Sequence, residues 1–223
     1  LEEYAEIKHI SDVFNSYPGY SIDAGDYDND GDYDLICSYL YDNPNFADTT
    51  FIFKNVNQNF QKVRAGLPQL KNSSVYWIDL NNDNTLELIL SGKTFQNTLI
   101  TEVYTKQSGD SFKPMNSGLK GLYNGSVDCA DFDNDGDQDI IAGGESKTNN
   151  VWWWENPYPD FSKPAWPRYL IRNSGGNKVH DQITGDFDGD DKPDLVFWAQ
   201  GDQTLYFTRI PEDPYEQVNW KLI

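Results

Sequence analysis

The sequence predicts an all-β protein built from four blades of a β-propeller. An acidic run with alternating aspartates occurs four times, and the first residues of the runs lie 53, 52 and 55 positions apart. Short segments rich in β-branched and aromatic residues surround each run, and Gly, Asn, Pro and Ser separate them. No segment shows a helical period of apolar residues. Four-stranded units repeated at about this interval are typical of propeller blades, whose neighbouring sheets cover each other's apolar faces.

Each repeat contains four predicted strands, and the acidic run joins the first strand to the second. The first strands are predicted at residues 20–25, 74–78, 126–130 and 179–185. The second strands are predicted at residues 35–40, 86–90, 140–144 and 195–199. The third strands are predicted at residues 51–54, 99–104, 151–154 and 205–208. The fourth strands are predicted at residues 60–63, 112–115, 168–171 and 218–222.

The even repeat predicts that residues 1–223 form a single propeller domain. The blades are expected at approximately residues 20–66, 73–118, 125–172 and 179–223. Residues 4–10 resemble a fourth strand, so residues 1–12 are predicted to supply an extra outer strand. This strand either joins the edge of the last blade or ends a preceding blade. Two architectures therefore stay open, a closed ring of four blades and part of a larger ring, such as one of seven.

The charge and composition of the chain disfavour some classes of binding partner and some classes of protein. A formal net charge of −19 disfavours binding to nucleic acid or to anionic membranes, because both would repel the chain. Aromatic residues make up 15% of the chain, which argues against disorder, since so many rings require a core. No apolar run reaches the roughly 20 residues that a membrane-spanning helix needs. Cys37 and Cys129 are too few for a disulfide scaffold and are expected to be buried thiols.

The four acidic runs are predicted to bind metal, because alternate residues of a tight loop direct oxygen atoms to one centre. The ligands predicted in the first run are Asp26, Asp28, Asp30, the backbone carbonyl of Asp32, and Asp34. In the second run they are Asp79, Asn81, Asp83, the Thr85 carbonyl and Glu87. In the third they are Asp131, Asp133, Asp135, the Asp137 carbonyl and Asp139. In the fourth they are Asp186, Asp188, Asp190, the Lys192 carbonyl and Asp194.

Calcium is the metal that fits these ligands, with up to four ions, one for each repeat. Magnesium resists dehydration and rarely accepts a full protein cage, and zinc would require Cys or His in the runs. An EF-hand would need a glutamate at the twelfth position, whereas the closing carboxylate comes at the ninth. The second run contains Asn81 and Asn84, and the fourth has Asp191 where two other runs have Gly. Sites 1 and 3 are therefore expected to bind most tightly.

The repeat resembles a known family. The pattern Asp-x-Asp-x-Asp-Gly-Asp-x-Asp, followed by Leu or Ile, is similar to the FG-GAP repeats of integrin α-subunit propellers and to the related VCBS repeats of secreted proteins. Residues 142–144 resemble the small-residue stretch of FG-GAP, and residues 151–157 and 166–171 resemble the bacterial branch. The resemblance covers nearly the whole chain. It implies a calcium-binding propeller that is secreted or lies at the cell surface.

Two kinds of function are compatible with such a propeller. The first is an extracellular binding or adhesion module that recognises carbohydrate or a protein partner, and the second is a polysaccharide lyase or glycosidase, or an accessory domain of one. Exposed rings could stack on sugars, and the candidates are Trp152, Trp154, Tyr158 and Trp166, for each of which packing between blades is the alternative. His180, beside Asp181, is the remaining ligand-binding candidate. No catalytic motif is found, so the binding module is the preferred hypothesis.

Overall fold

The structure, a computed structural model, describes residues 19–39, 49–144, 149–163, 165–216 and 220–222. Within these ranges it contains fifteen β-strands in four antiparallel sheets. The same ranges include no helix that is long and apolar enough to cross a membrane. The four sheets are arranged as the blades of a β-propeller, as the sequence predicts.

Blades 1 and 2 have four strands each, ordered along the sheet as they are along the chain. Blade 1 contains β1 (Gly19–Gly25), β2 (Asp34–Tyr39), β3 (Thr50–Val56) and β4 (Asn59–Val63). Blade 2 contains β5 (Leu70–Ile78), β6 (Glu87–Thr94), β7 (Leu99–Lys106) and β8 (Phe112–Pro114). Successive strands pair in antiparallel fashion, and in both blades the acidic run connects the first strand to the second.

Blade 3 repeats this plan, and blade 4 has three strands among the described residues. Blade 3 contains β9 (Ser126–Ala130), β10 (Asp139–Gly143), β11 (Val151–Trp154) and β12 (Arg168–Arg172). Blade 4 contains β13 (Val179–Gly185), β14 (Asp194–Ala199) and β15 (Thr204–Arg209). The outer strand predicted at residues 218–222 lies partly outside the described residues, and within them Trp220 packs into the core between blades 3 and 4. The predicted strand at residues 4–10 lies entirely outside them.

One apolar pair recurs at the same register between the second and third strands of every blade. The pairs are Ile36 with Ile52, Ile89 with Val103, Ile141 with Trp153, and Val196 with Phe207. The first three pairs are fully buried, because the following blade covers them. Three separate cores therefore lie between blades 1 and 2, blades 2 and 3, and blades 3 and 4. A blade on its own would therefore leave the apolar face of its sheet exposed to water.

The last blade leaves the corresponding face open to solvent. Val196 and Phe207 are only half-buried, and Leu205 is 61% exposed. Phe187, which follows the first aspartate of its run, is 50% exposed. The residues at that position in the other runs are buried, with 0%, 0% and 2% exposure for Tyr27, Leu80 and Phe132. Among the described residues, no packing comparable to the three inter-blade cores joins blade 4 to blade 1.

A Ser-x-Asp motif on the first strand of a blade links it to the first strand of the next blade, a contact that the sequence alone does not predict. In blade 1, Trp77 of the next blade donates its backbone N–H to Asp23 Oδ2 at 2.7 Å, and Val75 donates to Ser21 Oγ at 3.2 Å. Asp128 and Ser126 do the same for the backbone N–H groups of Thr184 and Gln182 in blade 4. An unpaired edge strand needs partners for its amides, and these side chains supply them.

The two cysteines are free and buried, as the sequence predicts. Burial raises the pKa of the Cys37 thiol to about 12 and that of Cys129 well above its ordinary value. Both side chains therefore act as small apolar core residues.

Candidate metal centres

All four acidic runs form the loop between the first and second strands of their blades, and all four follow the same path. The first aspartate of each loop accepts backbone N–H groups from the residues four and five positions later. In loop 1, Asp26 Oδ1 accepts from Asp30 at 3.0 Å, and Oδ2 accepts from Gly31 at 2.9 Å. The first aspartates of the other loops accept equivalent bonds of 2.8–3.1 Å. The predicted pattern is thus a real structural repeat.

The carboxylate at the ninth position closes each loop from inside the blade. Asp34, Glu87, Asp139 and Asp194 have exposures of 0%, 5%, 1% and 1%. Each accepts the backbone N–H of the residue after the first aspartate, at 2.9–3.3 Å. In blades 1 and 3, the second oxygen of this carboxylate also accepts the backbone N–H of an asparagine. The asparagine is Asn55 near the end of β3 in blade 1 and Asn156 just after β11 in blade 3. The ninth residue therefore ties the loop to two strands.

Each loop turns twice through the left-handed region of backbone conformation. At the sixth position, Gly31 and Gly136 have φ angles of 92° and 98°. Asn84 and Asp191 take this position in the other loops, with φ of 63° in both. The fourth position is also left-handed, with φ of 59°, 55°, 61° and 80° for Asn29, Asn82, Asn134 and Gly189. The sequence signal for this second turn was the recurring Asn or Gly, residues that tolerate such angles.

Three of the four loops gather carboxylate oxygens into a compact cluster. In loops 1, 3 and 4, the first, third and ninth residues each offer an oxygen, and the three atoms lie within 4.8 Å of one another. These clusters are Asp26, Asp28 and Asp34; Asp131, Asp133 and Asp139; and Asp186, Asp188 and Asp194. Loop 2 has Asn81 at the third position, so an amide oxygen replaces one carboxylate there.

The donor atoms of these loops fit a calcium ion. All are oxygens, which calcium prefers, and several come from one short loop, as in other calcium-binding loops. Within the described residues, two buried carboxylate oxygens have no hydrogen-bond partner, Asp28 Oδ1 in loop 1 and Asp137 Oδ1 in loop 3. An unpaired buried acceptor is costly, and a cation would satisfy it. Asp137 is 5% exposed, and its unpaired Oδ1 atom is a candidate metal ligand in addition to the backbone carbonyl predicted from the sequence.

The remaining predicted ligands, the fifth and seventh residues of each loop, are linked to each other by a hydrogen bond. The fifth residues, Asp30, Asp83, Asp135 and Asp190, accept the backbone N–H of the seventh at 2.7–3.1 Å. The seventh residues are Asp32, Thr85, Asp137 and Lys192. Coordination through their carbonyl groups stays a prediction.

Burial raises the pKa of the carboxyl groups that close the loops. The pKa rises to about 6 for Asp34, to about 7 for Glu87 and to about 8 for Asp139. It also rises to about 7 for Asp137. Loss of water around the charge is the largest cause in each case, and repulsion by neighbouring carboxylates adds to it. A bound divalent cation would reverse both effects.

We expect the metal-free protein to become less stable as the pH rises from 5 to 8.5. The folded-state pKa values exceed those of the unfolded chain, so the folded state binds more protons in this window. The stabilisation that these three groups contribute when they are protonated is complete below about pH 4. It is lost as the pH rises through 6 to 8. Thermal melts of chelator-treated protein at several pH values will measure this. The variant Asp139→Asn should flatten the profile, and a melting temperature that rises with pH in the metal-free protein would contradict the prediction.

The structure separates the aromatic candidates for ligand binding into two groups. Trp154 and Trp166 have exposures of 2% and 5% and pack in the core between blades 2 and 3, so the alternative of packing between blades applies to both and neither is an exposed ring for a sugar. A run of aromatic residues in a strand does not show which face another blade covers. Trp152 is half-buried beneath the Arg168 guanidinium group, and Tyr158 is 45% exposed.

His180, the last candidate, lies on the inner strand β13 and is half-buried. Its Nδ1 atom is 2.8 Å from Asp181 Oδ2. The aromatic candidates lie in and after β11, on blade 3, whereas His180 is on blade 4.

The fold and its loops define a β-propeller whose blades carry a repeated acidic loop, and comparison with known proteins agrees with this class. Residues 131–197 match the sequence profile of a family described as FG-GAP-like repeat. This segment contains loops 3 and 4, and the resemblance of the repeats to FG-GAP sequences is therefore confirmed. No curated protein matches the chain.

A solved structure also resembles this one. It is the crystal structure of the V. cholerae biofilm matrix protein Bap1, with a TM-score of 0.50 and 16% sequence identity. The alignment covers 91% of this chain and 27% of the Bap1 chain. The chain thus spans about a quarter of that protein's length, and the likeness is one of fold.

Proposed function

We propose that this protein is a calcium-stabilised extracellular module for binding or adhesion, which recognises carbohydrate or a protein partner. The observation that carries the proposal is the common geometry of the four loops. Each holds its first and last carboxylates by the same backbone hydrogen bonds, and three bring carboxylate oxygens together within 4.8 Å. Four copies of one such arrangement are better explained by a shared ligand than by chance.

The location outside the cell follows from the chemistry of the proposed ion. Calcium modules of extracellular proteins often have dissociation constants of about 10⁻⁴–10⁻³ M, which suits the calcium concentrations found there. The match to FG-GAP-like repeats and the fold shared with a biofilm matrix protein support the same location. The charge of −19 favours partners other than nucleic acid or anionic lipid.

The candidate surface for a ligand lies on blade 3. Tyr158 presents an exposed ring, and Trp152 presents a half-buried ring held by Arg168, 4.1 Å from the ring centre. An exposed aromatic ring such as that of Tyr158 can stack on sugars or on protein side chains at little entropic cost, whereas the Trp152 ring also packs against the core between blades 2 and 3. Burial of Trp154 and Trp166 reduces the predicted surface to these two rings.

A glycan array probed with and without calcium tests the function. We expect specific binding in the presence of calcium, and the variant Tyr158→Ala should weaken it about tenfold, since a stacking ring contributes on the order of 1–2 kcal/mol. Tyr33→Ala is the matched control, because Tyr33 is 70% exposed on another blade. Equal binding by all three proteins would remove Tyr158 from the proposed surface. Shortening of a polysaccharide would favour an enzyme instead.

A further inference from the structure

One residue position next to each loop differs in charge from blade to blade. It is the residue of the third strand, or just after it, that lies opposite the ninth loop residue. Arg209 pairs directly with Asp194 in blade 4. Continuing the ladders Leu35 with Phe53, Leu88 with Tyr104, and Ile140 with Trp154 by one step places Lys54, Thr105 and Glu155 at this position. The four blades thus have a cation, a neutral residue, an anion and a cation beside otherwise similar loops.

In blades 1 and 4 the cation is bound to the carboxylate at the third position of its loop. Lys54 Nζ forms an ion pair with Asp28 Oδ2, and Arg209 Nε forms one with Asp188 Oδ2. The Lys54 side chain is 29% exposed and that of Asp28 is 9% exposed, so the first pair is shielded from solvent. Arg209 is 66% exposed, so the second pair is more open to solvent. Each pair engages a carboxylate group that belongs to the cluster of its loop, and in loop 1 the other oxygen of that group, Asp28 Oδ1, has no hydrogen-bond partner among the described residues.

In blade 3 the same position adds negative charge. Glu155 is half-buried beside loop 3, and its Oε2 accepts a hydrogen bond from the Tyr169 hydroxyl at 3.0 Å. The carboxylate at the third position of this loop, Asp133, accepts a hydrogen bond from the Tyr215 hydroxyl at 2.5 Å and has no cationic partner within the described part of the chain. Loop 3 therefore has neutral donors where loops 1 and 4 have positive charges.

We propose that Lys54 and Arg209 are internal counter-ions that compete with calcium for loops 1 and 4, while Glu155 strengthens loop 3. The inference rests on the proposed calcium binding. When a calcium ion enters the loop, the lysine or arginine bound to the carboxylate at the third position must either leave it or remain close to the divalent ion. Both outcomes lower the affinity of the loop for calcium. Loop 3 then fills first. Loops 1 and 4 fill at higher calcium concentrations, and the positive side chains neutralise their carboxylates in the meantime.

Calcium titration by calorimetry at low ionic strength tests this, with variants that keep the aliphatic stem. Lys54→Met should raise the affinity of one site by about five- to tenfold, and Arg209→Met should raise another by about two- to fivefold, since its pair is more exposed. Glu155→Gln should weaken the tightest site by a similar factor, and Asp133→Asn, which gives loop 3 the amide that Asn81 supplies in loop 2, should weaken it at least as much. Lys163→Met, which removes an exposed charge away from the loops, should change no site.

Metal-free melting temperatures provide a second readout. Lys54→Met should lower the stability of the metal-free protein while it raises calcium affinity, and a residue with only a structural role would not produce these opposite effects. Circular dichroism checks that each variant folds. If the unsubstituted protein binds no calcium, the proposed function fails. If it binds calcium but Lys54→Met and Arg209→Met leave every affinity unchanged, or if Asp133→Asn leaves the affinity of the tightest site unchanged, the inference is overturned.

Discussion

Removal of calcium with EDTA is expected to lower the melting temperature of this protein by at least about 5–10 °C. A single site at a calcium concentration of 100 times its dissociation constant contributes about 2.7 kcal/mol, and each 1 kcal/mol shifts the melting temperature of a protein this size by about 2–4 °C. Without metal, the loops crowd three carboxylates together and leave Asp28 and Asp137 with unpaired buried oxygens. Scanning calorimetry in EDTA, in millimolar calcium and in millimolar magnesium will measure the shift.

Variants of the loops provide the control for chelation. Asp133→Ala should reduce the calcium-dependent part of the stability more than Asn81→Ala, because Asp133 belongs to a cluster of three carboxylates whereas Asn81 supplies a neutral amide. Magnesium should restore little of the lost stability, since it needs a smaller and more regular oxygen cage. A melting temperature that does not respond to chelation would remove the basis for calcium binding.

The loop geometry was largely predictable, because the ligand pattern is local. The aspartates at the first and ninth positions lie on one short stretch of chain, so spacing alone places them in one loop. Partners distant in sequence were not predictable. Asn156 donates its side-chain N–H to the Leu80 carbonyl of blade 2 at 2.7 Å, and Asn82 donates to the Gly136 carbonyl of loop 3 at 2.8 Å. These bonds join neighbouring loops, and only the stacking of blades reveals them.

The fold was predictable to a similar degree and for a related reason. Strands of four to eight β-branched and aromatic residues between polar turns specify a blade, and the repeat specifies that blades stack. The sequence does not show which apolar faces remain uncovered. Trp154 and Tyr158 lie four residues apart, yet the first is 2% exposed and the second 45%. Both faces of an inner blade are apolar, so alternation no longer distinguishes a core residue from a surface residue.

The position after the first aspartate offers a direct measure of blade stacking. Phe132→Ala is expected to destabilise the protein by about 3–4 kcal/mol, because it would leave a cavity in a closed core. Its ring is 2% exposed and lies 5.8 Å from Trp153 and 5.9 Å from Trp220 between ring centres. Phe187→Ala, at the same position of the last blade, should cost less than about 1 kcal/mol, since that ring is 50% exposed. Urea unfolding in EDTA will measure both.

The comparison is well matched, because both phenylalanines donate a backbone N–H to the ninth carboxylate, at 2.9 Å and 3.0 Å, and neither substitution removes it. Unfolding in EDTA keeps any change in metal affinity out of the result. Leu80→Ala serves as a second buried reference, since Leu80 is 0% exposed in the core between blades 2 and 3. Equal costs for Phe132→Ala and Phe187→Ala would mean that another surface covers blade 4 in solution. A small cost for both would contradict the stacking of blades 3 and 4.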